Sequence, residues 1–253
     1  MTRLRCDWEP RFRRFVAEQP NADPGHGPIH LERVVATAIR LAAEEGARLD
    51  IVLPAAWLHD CVHIAKDSAE RARASRLAAD HALRFLEDAG YPPACLPEIR
   101  HAIEAHSYSA GIAPRTIEAK VVQDADRLDA LGAIGLARCL AVGTALGRPL
   151  YQPDDPFCLV RDPDDRGASV DHFYSKLLKL AGTMQTAAGR REAGRRAAFL
   201  EAFLAQLESE IAPSASSRSA SCTTCASIVR GAMPAEKLCA SIAWRISGRQ
   251  AAG

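Results

Sequence analysis

The stretch Pro54-Ala55-Ala56-Trp57-Leu58-His59-Asp60 is an apolar run closed by an imidazole and a carboxylate. It predicts a buried helix that starts near Asp50 and runs through Trp57 and Leu58 to the His-Asp pair. Histidine and aspartate offer nitrogen and oxygen donors that suit borderline to hard divalent metals, and side by side both can reach one cation. A metal held with open coordination positions is equipped for hydrolysis. Two donors do not make a site, so the remainder of the chain has to supply others.

Working outward, the pattern is helical nearly throughout. Pro28 suits the first turn of a helix carrying Leu31, Val34, Val35, Ala38, Ile39 and Ala42 at helical spacing, with Gly46 as its stop. Ser68 reads as the cap of a long amphipathic helix with Ala78, Ala82, Phe85, Leu86 and Ala89 inward and Gly90 at its end. Pro92, Pro93 and Pro97 punctuate before a helical segment from Glu98 to His106. Thr116 reads as the cap of a helix that carries Asp124, Asp126 and Asp129 and runs to Leu131. Gly132 and Gly135 then open a run of small residues suited to close helix–helix approach. Residues 147–167 form a loop rich in Pro, Asp and Gly, long enough to suggest a functional role. Two further helices fit Ser169–Ala187 and Arg190–Ile211. With no alternating strand pattern and no internal repeat, the expected class is all-α.

The chain has 253 residues, is 48% hydrophobic and 25% charged, and carries a net charge of +1. These values describe a globular protein with one sizeable core. They give no global field that would argue for nucleic acid. No apolar run approaches the ~20 residues of a membrane span, and the first ten residues lack the apolar centre of a secretory signal, so the expected location is the cytoplasm. Of eight cysteines, only Cys222 and Cys225 form a C-x-x-C, and no second pair follows to complete a zinc-ribbon spacing. Composition breaks after Pro213. The expected organisation is therefore one helical domain over residues 1–213 and a tail over 214–253, disordered or partly helical.

A four-donor set can be drawn from three predicted helices: His30 on the first, His59 and Asp60 on the second, Asp126 on the later one. Helical bundles build metal sites in this way, from inward side chains on facing helices. Singly, each has a plain alternative. His30 can be a surface or capping residue, Asp126 can pair with Arg127, and His59-Asp60 can satisfy helix-end carbonyls.

The context of the three segments resembles the HD-domain phosphohydrolase superfamily, whose ligands run H…HD…D. The match is carried by His30-Leu31-Glu32-Arg33-Val34-Val35, Ala55-Ala56-Trp57-Leu58-His59-Asp60 and Gln123-Asp124-Ala125-Asp126-Arg127-Leu128-Asp129-Ala130. It extends through Lys66-Asp67-Ser68, Ala105-His106-Ser107, Ala133–Arg138 and Asp171–Leu180, covering about residues 20–211. It is nearer to bacterial single-domain members, some of which are nucleotide pyrophosphohydrolases. The resemblance implies a compact helical bundle of the HD type and assigns His30, His59, Asp60 and Asp126 as metal ligands. His26 competes with His30 and Asp124 with Asp126; the residues that follow favour His30 and Asp126.

Chemistry suggests the surrounding roles. His63 or Asp67 could orient the attacking water or protonate a leaving oxygen. Lys66, Arg127 and Lys176 could clamp phosphate oxygens. His101 and His106 could line the pocket or add ligands for a further ion. Asp129 reads as a helix-surface acid or a partner for Arg127. The expected activity is hydrolysis of a small phosphorylated compound, a nucleotide first, as pyrophosphohydrolase or phosphatase with one divalent ion. Manganese leads among Mg, Fe, Co, Ni and Zn. The alternatives are a non-catalytic nucleotide- or partner-binding domain and an iron-dependent oxygenase.

Overall fold

Helix α3 (Leu49–Leu58) lies in the middle of the molecule, and every residue from Ile51 to Leu58 is buried. A ten-residue helix that is apolar on all sides can be stable only inside a shell of other helices. The structure, a computed structural model, describes residues 2–20, 27–64, 68, 70, 73–107 and 110–211. Among these are the surrounding helices α1 (Thr2–Ala17), α2 (Pro28–Glu45), α4 (Ala74–Asp88), α5 (Leu96–His106), α6 (Ile117–Asp129), α7 (Gly132–Ala145), α8 (Leu178–Ala181) and α9 (Ala187–Ile211). No strand occurs among the described residues, and the all-α architecture is as the periodicity predicts. His26, Lys66, Asp67 and the tail with Cys222 and Cys225 lie outside the described residues.

Pro54 sits inside α3 and lacks the N–H that would bond the carbonyl of Asp50 one turn earlier. The hydroxyl of Tyr91 donates to that carbonyl instead, at 2.6 Å. Tyr91 in turn belongs to an aromatic cluster with Trp8 and Phe12 of α1, the Trp8 and Tyr91 rings meeting edge to face at 4.6 Å between centroids. Helix α1 was not expected from the sequence, because arginines and Pro10 interrupt its apolar pattern. Its inward residues Trp8, Phe12, Phe15 and Val16 nevertheless recur at helical spacing, and the guanidinium of Arg13 lies over the Trp57 ring.

Several boundaries differ from the sequence reading. Thr116 does cap α6, its hydroxyl accepting the Ala119 N–H at 3.1 Å. Ser68 does not cap α4, which begins at Ala74; its hydroxyl accepts the Glu70 N–H, a local turn that competes with helix. In place of one helix over Ser169–Ala187 there is a π-helical turn (Phe173–Leu177) followed by the short α8. The break before α9 has a physical cause. Asp124 of α6 is buried and accepts the Gln185 N–H, the Thr186 N–H and the Thr186 hydroxyl at 2.7–2.8 Å, which fixes a turn there. A Cβ at Gly189 would lie 2.3 Å from the Asp124 carboxylate, so glycine is required at that approach. Gly132 makes the close helix–helix approach expected of it, a Cβ there falling 3.1 Å from the Arg196 side chain of α9. At Gly143 the close neighbour is Ser169 of the loop, and α7 buries only its glycines while Ile134 and Val142 stay exposed.

Polar contacts tie α9 across the bundle. Arg196 donates to the Leu128 carbonyl of α6 at 2.5 Å, and within α9 itself Glu192 steadies Arg196 and Arg195 at 2.7 and 2.8 Å. No single described helix is long and apolar enough to cross a membrane; α6 and α7 reach that composition only together, bent by 57°.

Tyr91→Phe should lower stability by about 1–3 kcal/mol, because the Asp50 carbonyl loses its donor. Adding Pro54→Ala, which restores the backbone N–H, should recover part of that loss in denaturant titrations. The Arg195 and Arg196 guanidinium groups hold Glu192 at about 2, below its ordinary 4.5. Its folded pKa is depressed, so its contribution is full above pH 4.5 and lost as pH falls towards 2. The stability gap between wild type and Glu192→Gln should close over that window.

Candidate metal centre

Four helix ends converge beside α3. His30 is the third residue of α2, whose start is set by Gly27 and Pro28. His59 and Asp60 directly follow α3, His106 closes α5, and Asp126 lies in the last turn of α6. His30 Nε2 is 3.4 Å from Asp126 Oδ1. His59 Nε2 is 3.8 Å from the same oxygen and 3.7 Å from Asp60 Oδ2. His106 Nε2 is 3.5 Å from Asp60 Oδ1. Donors bound at about 2.0–2.2 Å to one ion lie roughly 3 Å apart when adjacent and about 4 Å apart when opposite. The observed separations fall in that range.

Each imidazole is oriented by its other nitrogen. His59 Nδ1 donates to the Ala56 carbonyl at 2.9 Å and His106 Nδ1 to the Ile103 carbonyl at 2.6 Å. A carbonyl can only accept, so both rings carry their proton on Nδ1 and turn an Nε2 lone pair inward when neutral. The buried Nε2 of His59 has no hydrogen-bond partner. Two overlapping groups, His30 with His59 and Asp60, and His59 with His106 and Asp126, place their donor atoms within 4.8 Å of one another. These residues could hold a divalent cation.

The electrostatics agree with that chemistry. Burial works against ionisation of Asp60, but the neighbouring His59 and His106 outweigh it and hold the carboxyl below its usual range. Burial likewise opposes ionisation of Asp126, which His30 and His59 push well below the ordinary value. His30 is buried, which disfavours its charge, yet its bonds to Asp126 and Asp129 raise it to about 9. His106 is raised in the same way, Asp60 overcoming burial.

Asp129 corrects the sequence reading. It is 4% exposed rather than a surface acid, and it faces His30, Arg33 and Arg138 rather than Arg127. His30 Nδ1 is 2.7 Å from Oδ2, Arg33 contacts both oxygens at 2.6 and 2.9 Å, and Arg138 of α7 adds a bond at 2.8 Å. Burial opposes ionisation of this carboxyl, but its bonds to Arg33 and His30 outweigh that and hold it below its usual range. Gln123 was also missed; its side-chain amide donates to the Ala105 carbonyl at 2.6 Å and fixes the end of α5. Both lie three residues from Asp126, a spacing that puts them on one helix face. Asp124, the rival of Asp126, points the other way, towards Thr186.

The other candidates are dispersed. His63 is exposed and lines a cleft together with Asp60 and His106. The cleft also takes Val16, Gln19 and Pro20 from the end of α1. His106 stands among the residues that could hold a cation. His101 Nε2 accepts the Arg115 amide at 2.9 Å. Arg127 donates to the Thr183 carbonyl at 2.9 Å, and Lys176 is exposed on the π-helical turn.

The HD domain family profile matches residues 29–131, the span that contains His30, His59, Asp60, His106 and Asp126. YpgQ of Bacillus subtilis (strain 168) is 33% identical over 191 residues, 74% of this chain and 85% of that protein. A crystal structure of an HD-superfamily hydrolase from Bacillus thuringiensis superposes with a TM-score of 0.63 at 36% identity, covering 79% of this chain and 95% of that one. The crystal structure of B. subtilis YpgQ in complex with ADP gives a TM-score of 0.63 at 32% identity, covering 80% of this chain and 97% of that one. With the H…HD…D residues gathered at one point and likeness of this extent, the chain belongs to the HD-domain phosphohydrolase superfamily.

Proposed function

We propose that this protein is a metal-dependent phosphohydrolase that cleaves a small nucleotide, with His30, His59, Asp60 and Asp126 as the cation donors. The observation that carries the reading is the buried, unpartnered Nε2 of His59, ringed by carboxylate oxygens at 3.7–3.8 Å. His30, His59, Asp60 and Asp126 would hold the divalent cation, manganese first, which when bound would supply Lewis-acid polarisation of a phosphoryl oxygen and a more acidic water. Asp60 and Asp126 bring two negative charges, and their partial exposure leaves the cleft side open to substrate. His106 serves as a further donor or as a hydrogen-bond donor to a phosphoryl oxygen. His63, on the cleft wall, is the described group placed to deliver a proton to the leaving oxygen, a role Asp67 shares by sequence. Lys66, Arg127 and Lys176 are the cationic candidates for phosphate oxygens.

The ADP held by YpgQ of B. subtilis supports a nucleotide as substrate. Release of pyrophosphate from a nucleoside triphosphate is the first bond to test, and monoester cleavage the second. A non-catalytic binding domain would bind its ligand equally well after His59→Ala.

A nucleotide screen with Mn²⁺ and identification of products by mass should show phosphorus-containing products. Chelation should abolish turnover and added metal restore it, whereas a protein inert towards every phosphorylated compound at stoichiometric metal would refute the reading. His59→Ala and Asp126→Asn should each lower kcat/KM by at least about 100-fold with the helical circular dichroism retained. Asp129→Asn should weaken cation binding by about 10–100-fold in calorimetry, since it orients His30 without being a donor.

A further inference from the structure

The cleft that Asp60 and His106 line also takes in the start of α4, where Ala74 and Ser75 form part of its wall. Ser75 is the second residue of that fifteen-residue helix and is only 3% exposed, yet its hydroxyl has no hydrogen-bond partner. A buried hydroxyl without a partner is a standing cost in free energy. The start of α4 carries no side-chain cap and no acidic residue in its first turn. The first turn of α4 therefore meets the cleft without a carboxylate of its own, Asp60 being the acidic group among the lining residues. Cys61 donates to the Ala78 carbonyl at 3.4 Å, which holds the first turns of α4 beside the segment that follows His59-Asp60. Ser107 and His63 complete this part of the wall.

We infer that the start of α4, with the Ser75 hydroxyl as its donor, is a subsite for a phosphoryl oxyanion. A hydroxyl donor and a positive helix end both favour an anion over a neutral group. The subsite lies along the cleft from the proposed cation donors, so a substrate with two linked phosphoryl groups spans both. In that respect the inference rests on the reading under Proposed function. The same chemistry admits the phosphate chain of a nucleotide or a free phosphate.

The test is calorimetric titration of the full chain with ADP, inorganic phosphate and adenosine, with and without a divalent cation. Ser75→Ala should weaken ADP and phosphate by about tenfold and leave any adenosine binding unchanged. Its ligand-free Tm should be equal to or above that of wild type, because the unsatisfied hydroxyl is gone. Ser75→Asp, which sets a carboxylate against the anion, should weaken both by more than a hundredfold. Equal affinities in wild type and Ser75→Ala, a lowered Tm, a parallel loss of adenosine, or no phosphate binding by wild type would each overturn the inference. A turnover assay on the same samples separates the two readings. Active wild type with ADP affinity indifferent to Ser75→Ala overturns the subsite alone. Inactive wild type whose phosphate affinity still falls in Ser75→Ala overturns the hydrolase reading and supports the subsite. Phosphate bound without ADP identifies free phosphate as the occupant.

Discussion

Ionic groups gathered at the inner end of an apolar helix have to be balanced where water cannot do it, and the arrangement of this protein follows from that constraint. Helix α3 is buried along its length from Ile51 and delivers His59 and Asp60 to the interior. Charges taken out of water are costly unless paired and hydrogen-bonded. The protein answers with alternating partners. Asp129 is set between His30 and two guanidinium groups, and His30 in turn lies between Asp129 and Asp126. Asp60 and Asp126 keep about a quarter of their side chains accessible, so their negative charge is the least enclosed of the group.

Orientation is handled by the backbone. His59 and His106 each spend one ring nitrogen on a carbonyl three residues earlier in their own helices. The inward nitrogen is then fixed by helix geometry and costs no extra residue. The ends of α3 and α5 are thereby brought together, and Gln123 secures the second of them from α6. The same economy appears at Pro54, where a missing backbone donor is replaced by the hydroxyl of Tyr91 from a separate part of the chain.

Much of this was legible in the sequence because helical period and cap chemistry are local. The span from Pro28 to Gly46, the Thr116 cap and the apolar α3 were readable for that reason. The convergence of His30, His59, Asp60 and Asp126 was not local; it was reached through the resemblance of three separated segments. What escaped depended on tertiary contact. Ser68 has the chemistry of a helix cap but turns back on Glu70. The break before α9 is imposed by Asp124, sixty or so residues away in sequence. Asp129 looked like a surface acid because its partners Arg33 and Arg138 sit on other helices. Helix α1 was hidden by its arginines, whose charged heads lie outside while Phe12 and Val16 reach the core.

The residues that could hold a cation come from the ends of α2, α3, α5 and α6, and no two neighbouring helices hold the whole set. A cation bound there would act as a non-covalent cross-link closing loops of tens of residues, and the unfolded chain could not reproduce the site. Opening any one of the four helix ends would release it. Resistance of the chain to proteolysis would then follow the free-metal concentration around it, so that the ion serves as a gauge of whether the bundle is intact.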